Sequence, residues 1–531
     1  MSAASETIGS PRAKSAPADA HKEWTPSFNP WLIAASVMLA TFMEVLDTSV
    51  ANVALPHIAG NLSATPEEST WVLTSYLVSN AIILPATNWL SRYFGRKRFL
   101  IICIILFTGS SVLCGAASSL GLLILARIIQ GAGGGALQPI AQAVLMESFP
   151  PAKRGSAMAV FGMGVVVAPI IGPTLGGWIT DNYSWRWIFY INIPVGVLAI
   201  FMANIFIEDP PYIKHQRPGR IDYLGFAFMA IGLGTLQLVL DKGQEEDWFA
   251  STLITGALIF SVVTLVSFVL WELRSKEPIV DLRVLKNRNF SVGTSLMTAM
   301  GIVLYGTIAL VPLFLQTLMG YPAMQSGMAV SPRGFGAIAS MLLVGRIINK
   351  VDGRILIAFG FLVLSYATHM FGDITLDITS SSIVWPNVIS GFAMGFIFVP
   401  LTTMAMGTLE NHQMGNASGV FNLMRNTGGS LGIAAVTTFL ARGIQVHQAS
   451  MVSSVNPYNP VLQERVQQLG NAVGGNTQQA YVAIYGTLTK QATVLAYIDN
   501  FRLLSYVCLV CVPAALLFKR VKAKKGPVAM H

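Results

Sequence analysis

Apolar runs of about twenty residues recur along almost the whole chain, separated by short polar stretches. That is the length a helix needs to cross the hydrocarbon core of a bilayer, where no water satisfies backbone groups. The pattern predicts about fourteen such helices, near 31–55, 69–91, 99–118, 120–146, 155–179, 187–207, 222–240, 250–271, 291–318, 327–349, 355–372, 383–407, 414–440 and 497–518. Two stretches fall outside it. Residues 1–29 are polar, rich in Ala, Ser and Pro, and lack the apolar core of a signal peptide, so the first span is expected to serve as the anchor. Residues 442–496 are rich in Gln and Asn, too polar to span, and contain Asn456-Pro457-Tyr458-Asn459-Pro460. They are expected to form a long outer segment able to fold against a partner.

Composition sharpens this. The 531 residues are 53% hydrophobic and only 11% charged, with mean hydropathy +0.59, far too little charge to cover a soluble surface. Disorder, a collagen-like fibre and a disulfide-stapled module are excluded as well. An all-α polytopic membrane protein remains. Charge placement then orients it. Arg12, Lys14 and Lys22 precede the first span. Arg92, Arg96, Lys97 and Arg98, then Lys153 and Arg154, then Lys214, Arg217 and Arg220 follow on the same side. Arg274, Lys276, Arg283, Lys286, Arg288, Lys350, Arg354 and the Lys519–Lys525 cluster continue the series, which holds most of the 34 basic residues. The opposite loops hold Arg186, Lys242, Arg442, Arg465 and Lys490. By the positive-inside rule both termini are expected in the cytoplasm, and the net +9 reflects orientation and anionic lipid rather than nucleic acid. Cys103, Cys114, Cys508 and Cys511 all fall inside spans, so disulfides are not expected.

Ionisable groups inside spans are expensive and mark candidate function. Glu44 and Asp47 lie about 60° apart on the first span. Ser36, Thr41, Thr48 and Asn52 fall near the same face, making one polar stripe that has to meet protein or a wet cavity. Two carboxylates so placed suit a proton carrier; a structural ion pair is the plainer alternative. Arg127 in the fourth span is the natural counter-charge and shares a face with Gln138 and Gln142. Arg425 sits mid-way along the thirteenth span beside Asn422 and Asn426. Arg333 lies nearer the outer end of the tenth, and Asp499 and Arg502 open the last. The tryptophans of 181–187 read as interfacial belt residues.

In the fifth span Gly164, Ala168, Gly172 and Gly176 repeat every four residues, with Gly177 following and Pro169 and Pro173 between. Such a helix packs closely yet bends, which fits a rocking interface and ordinary small-residue packing alike. Met38, Met43, Met404 and Met406 are either an adaptable lining or plain packing. No phosphate-binding G-x-x-x-x-G-K-[ST] loop occurs, and Gly131-Ala132-Gly133-Gly134-Gly135 lies inside a span with no strand before it, which reads as helix packing. The seven histidines show no metal-ligand spacing. No cofactor, metal site or enzymatic activity is expected.

At this point the motifs resemble a family. Leu46-Asp47-Thr48-Ser49-Val50-Ala51-Asn52-Val53-Ala54-Leu55-Pro56 looks like the first-span signature of the fourteen-span drug:proton antiporters of the major facilitator superfamily. Leu125-Ala126-Arg127-Ile128-Ile129-Gln130-Gly131 is similar to their fourth-span arginine motif, and the Gly-Pro-rich fifth span to their antiporter motif. The loop after the second span keeps Gly95, Arg96 and Lys97 of the family's gating loop but has Asn88 and Arg92 where the family has Gly and Asp. Met414–Gly419, Arg425–Ser430 and the outer Asn456–Pro460 resemble the EmrB-like inner-membrane pumps.

The resemblance implies a major facilitator fold: two six-helix bundles at 30–207 and 291–518, with an extra helix pair, near 222–240 and 250–271, inside a 208–290 linker. Cytoplasmic tails are expected at 1–29, disordered, and at 519–531. It implies proton coupling through Asp47 and Arg127; the polar residues inside the spans add Glu44 as a co-acceptor and make Thr41, Thr48, Asn52, Gln138, Gln142, Asn422, Arg425 and Asn426 the candidates for a substrate cavity. Glu44 is not assumed common to the family. The implied partners are protons, hydrophobic or amphipathic drugs, a periplasmic EmrA-like adaptor, for which 442–496 is the expected contact, and a TolC-type outer-membrane channel. Export of a physiological cargo such as a fatty acid, siderophore or metabolite, and a non-transporting receptor or scaffold, are the alternatives.

Overall fold

The computed structural model describes residues 26–209, 222–348, 350–376, 380–410, 413–453, 455–456, 458–472 and 477–519. Residues 1–25 of the expected 1–29 tail and 520–531 of the expected 519–531 tail, with Lys214, Arg217, Arg220 and Pro457, lie outside them. The helices are α1 (Pro30–Asn61), α2 (Pro66–Phe94), α3 (Arg96–Ala116), α4 (Leu120–Gly134), α5 (Leu137–Ser148), α6 (Arg154–Asn182), α7 (Trp187–Tyr190) and α8 (Asn192–Phe206). Then come α9 (Tyr223–Lys242), α10 (Thr252–Arg274), α11 (Arg288–Thr317), α12 (Ala323–Val330), α13 (Pro332–Ile347), α14 (Gly353–Phe371), α15 (Ser380–Met406), α16 (Met414–Val452), α17 (Pro460–Ala472) and α18 (Thr477–Ala515).

Thirteen helical runs among the described residues are long and apolar enough to cross a membrane. With the more polar α2, 29 residues long, they account for the fourteen expected spans. Three spans are interrupted, each for the same reason. Pro139, Pro194 and Pro332 have no N–H to give the carbonyl four residues earlier, and the helix breaks at Gly135–Ala136, Ile191 and Ser331 respectively.

The first eight helices pack chiefly on one another, as do α11 to α18. The two groups meet along α2 and α5 against α16, and along α6 against α12, α13 and α15. The α9–α10 pair lies beside α2 and also touches α16. Within the first half, α4 can approach α2 only because it presents glycine. A Cβ on Gly131 would lie 2.4 Å from the Tyr76 carbonyl oxygen, and one on Gly134 would meet the Tyr76 hydroxyl and Glu44. Gly131→Ala is therefore expected to cost about 1–3 kcal/mol by overpacking, read as a lower unfolding temperature of the purified protein in detergent. Gly109→Ala, where a Cβ meets nothing, should not lower it.

Two expectations change. The polar 442–496 segment is not a loop hanging from short spans. Both α16 and α18 continue as single helices of 39 residues, about 58 Å each, against about 30 Å of hydrocarbon, and α17 packs beside α18. The extensions are joined where His447 Nε2 meets Asp499 Oδ2 at 2.7 Å and Gln448 Nε2 donates to the Tyr485 hydroxyl at 2.5 Å. Trp185 is not a belt residue: it is 2% exposed, packed edge-on to Phe189 and covered by the Arg186 guanidinium, which is itself held by the Ala117 carbonyl. Trp187, 55% exposed, fits the belt.

Candidate functional site

The centre of the first half is a buried ion pair. Arg127 on α4 donates from Nη1 to Asp47 Oδ2 on α1 at 2.6 Å, both side chains essentially inaccessible. A pair removed from water needs its remaining polar atoms satisfied, and neighbouring helices supply partners. Gln130 Nε2 at 3.0 Å and Asn192 Nδ2 at 2.6 Å both donate to Asp47 Oδ1. Arg127 also donates to Gln130 Oε1 at 2.6 Å and, through Nε, to the Val72 carbonyl at 3.0 Å. Its guanidinium lies 4.3 Å above the Tyr76 ring. Ser111 takes the other hydrogen bonds of Gln130 and Asn192. Gln130, Asn192, Ser111 and Tyr76 were not among the expected site residues.

Glu44, one helical turn away, addresses different partners. Its Oε1 accepts from the Tyr76 hydroxyl at 3.2 Å and Asn80 Nδ2 at 3.4 Å, and its Oε2 from Gln138 Nε2 at 2.6 Å. Gln138 in turn accepts from Arg425 Nη2 on α16, so a two-bond chain runs from Glu44 across the boundary between the halves. Next to it Gln142 Oε1 accepts from Asn422 Nδ2 at 2.6 Å and Ser418 Oγ at 3.0 Å. Tyr76 touches both carboxylate networks, its hydroxyl on Glu44 and its ring under Arg127.

Of the expected cavity residues, Gln138, Gln142, Asn422 and Arg425 thus come together, with Asn426 Oδ1 accepting from Arg425. Thr41 and Thr48 do not join them; their hydroxyls donate to the carbonyls of Val37 and Val45 on their own helix. Asn52 is exposed. The small-residue stripe of α6 docks on α1 in the same half rather than on the opposite one: Gly172 faces Ser49, Gly176 faces Val50, and Gly164 faces Met38, while Gly177 meets nothing. Ala168 is buried. Pro173 leaves the Pro169 carbonyl without a helical donor, and Ser49 Oγ takes it at 3.0 Å. Contacts to the other half come from the adjacent face, where Gly155 meets Ile348 and Gly162 meets Met341 and Phe398. The Gly95 turn, at φ +85°, ends α2 and starts α3. Arg96 pairs with buried Glu147, and the Lys97 backbone N–H donates to Asp209 Oδ1 at 2.8 Å.

Between the halves, a small cavity of about 20 Å³ is lined by Val165, Val166, Pro169 and Ile170 of α6, Met300, Leu304, Tyr305 and Ile308 of α11, and Arg333, Phe398 and Arg425. Met43, Met404 and Met406 pack in the core instead.

Residues 37–433 match the profile of the Major Facilitator Superfamily. The chain belongs to that superfamily. Within it, the chain is 40% identical to the multidrug export protein EmrB of Haemophilus influenzae, covering 88% of this chain and 92% of that one. It is 38% identical to the fatty acid resistance protein FarB of Neisseria gonorrhoeae, over 92% and 96%. The human organic anion transporter MFSD10 shares the fold, with a TM-score of 0.58 and 13% identity over 91% of this chain and 100% of that one. This chain is therefore an EmrB-like, multi-pass membrane protein from a family of transporters, not of enzymes.

Proposed function

We propose that this protein is a proton-coupled antiporter that exports hydrophobic and amphipathic drugs by alternating access between bundles at 30–207 and 291–518. The observation that carries the reading is the buried Asp47–Arg127 pair, a carboxylate held by one cation and two amide donors at the core of the first half. Protonating Asp47 removes the charge that Arg127 holds, loosens α1 from α4 and lets the halves rock. Drug in the cavity between them favours the deprotonated form, so the two ligands oppose each other through coupled affinities. The Glu44–Gln138–Arg425 chain supports a connection from the carboxylates to the other half. A proton crossing about 100 mV releases about 2.3 kcal/mol to drive the cycle.

In this reading both termini are cytoplasmic in a bacterial inner membrane, and the extended ends of α16 and α18 reach into the periplasm. There they meet an EmrA-like adaptor that leads to a TolC-type channel. A physiological cargo is a second reading, supported by the likeness to a fatty acid resistance protein. The test is drug-triggered proton release from purified protein in proteoliposomes with a pH-sensitive dye and an imposed pH gradient. Release is expected on adding a hydrophobic drug; no proton movement with any compound would overturn the antiport reading.

A further inference from the structure

On the outside of the second half, the first turns of α11 and the last turns of α18 enclose a groove of about 280 Å³. Side-chain size is why it is there. Ser295 and Ala299 on α11 and Ala514 on α18 line it, and side chains this small do not close the gap between two helices. Leu296 and Cys511, 3% and 5% exposed, form its floor. Val510 and Leu517 flank it at 70% and 51% exposure, so it opens sideways to the bilayer and not into the space between the halves. The Ser295 hydroxyl donates to the Ser291 carbonyl of its own helix at 3.0 Å, which spends it inside α11. Water in such a gap would find few polar partners, so hydrocarbon fills it.

The mouth of the groove is basic. Arg288 Nε donates to the Leu517 carbonyl at 3.0 Å, which fixes the exposed guanidinium at the groove's end. The chain after α18 is stitched to α11 at the same level: the Lys519 backbone N–H donates to Asn289 Oδ1 at 2.8 Å, and Asn289 Nδ2 donates to the Lys519 carbonyl at 3.2 Å. Exposed Lys519 is thereby held close to Arg288, and exposed Lys286 precedes Arg288 by two residues. Among the described residues no acid forms an ion pair with any of the three. We infer that this groove is a site for an anionic phospholipid, with one acyl chain lying between α11 and α18 and the phosphate on Arg288. A planar guanidinium grips phosphate fork to fork, and basic residues where helices leave the membrane attract anionic headgroups. A zwitterionic lipid brings the same tail and phosphate but adds an ammonium that the basic mouth repels. The inference needs only that the chain sits in a bilayer, and it stands apart from the antiport reading. The lipid is a fixed brace of α11 on α18, not a cargo.

The test is native mass spectrometry of the full chain released from nanodiscs that hold phosphatidylglycerol and phosphatidylcholine of equal tails in equal amounts. The wild-type chain is expected to retain phosphatidylglycerol over phosphatidylcholine by at least about fivefold, the factor that one basic residue near the headgroups supplies. Arg288→Gln should remove most of that preference. Arg98→Gln, a change at an equally exposed cation on α3 in the first half, should leave it in place. Ala514→Phe fills the groove and keeps all three basic residues, and it should still lower phosphatidylglycerol retention. Because the lipid binds the folded state, phosphatidylglycerol should also raise the unfolding temperature of the wild-type chain more than that of Arg288→Gln. Equal retention of the two lipids by the wild-type chain overturns the inference whether or not any variant folds. Equal losses in Arg288→Gln and Arg98→Gln overturn it too, by making the preference a diffuse effect of surface charge. Full retention in Ala514→Phe places the lipid elsewhere and has the same consequence.

Discussion

Asp47→Asn is expected to reduce drug-triggered proton release to the level of protein-free vesicles while the protein still folds. The replacement keeps the shape of the side chain. Its Oδ1 can still accept from Gln130 and Asn192, which approach at 3.0 and 2.6 Å. What it loses is the proton-accepting atom and the charge facing Arg127, because the new amide sets N–H against the Nη1 that now donates at 2.6 Å. Glu44→Gln is the necessary companion. Glu44 holds its own partners, Tyr76, Asn80 and Gln138, and its loss should weaken coupling without ending it. The measurement is the dye-loaded proteoliposome assay, run on both variants with the same drug and the same gradient. Full release from Asp47→Asn, with none from Glu44→Gln, would move the carrier to Glu44.

Why some of this site is legible in the sequence and some is not has a physical origin. Glu44, Asp47, Arg127 and Arg425 stand out because each is a charge inside an apolar run, where lipid would make it costly. Gln130 and Asn192 carried a weaker form of the same signal: one lies three residues after Arg127, the other between two isoleucines. Neutral amides are cheaper in a span and attract less notice. Tyr76 gave no signal, since an aromatic in a span is ordinary packing until its hydroxyl is seen on Glu44. The bond from Gln138 to Arg425 joins residues 287 apart, and helical periodicity can place each on a face without saying that the faces meet. The stripe on α6 shows the converse. Spacing reveals that a helix comes close there, and only packing shows that the helix is α1. For α16 and α18, hydropathy reports where lipid ends; Ala- and Gln-rich polar sequence continues the helix in water.

Removing the cation of the central pair is expected to cost more stability than any other single change in the first half. In Arg127→Met the side chain keeps its length and apolar stem, but Asp47 is left buried with amide donors alone, and the Val72 carbonyl loses its side-chain donor. Breaking a buried pair from one side typically costs about 3–5 kcal/mol, because the surviving charge has no solvent and no counter-ion. Asp47→Asn added to Arg127→Met removes that stranded charge, so the double variant should unfold at a higher temperature than Arg127→Met alone. The excess is the coupling between the two sites, expected on the order of 0.5–3 kcal/mol for contacting residues. A thermal double-mutant cycle in one detergent measures it. A double variant less stable than Arg127→Met by the full cost of Asp47→Asn would show the two side chains to be energetically independent, and the carboxylate would then need another counter-charge. If coupling is found, the rescued double variant separates folding from transport. It should regain stability and still release no protons, because the group that carries them is gone.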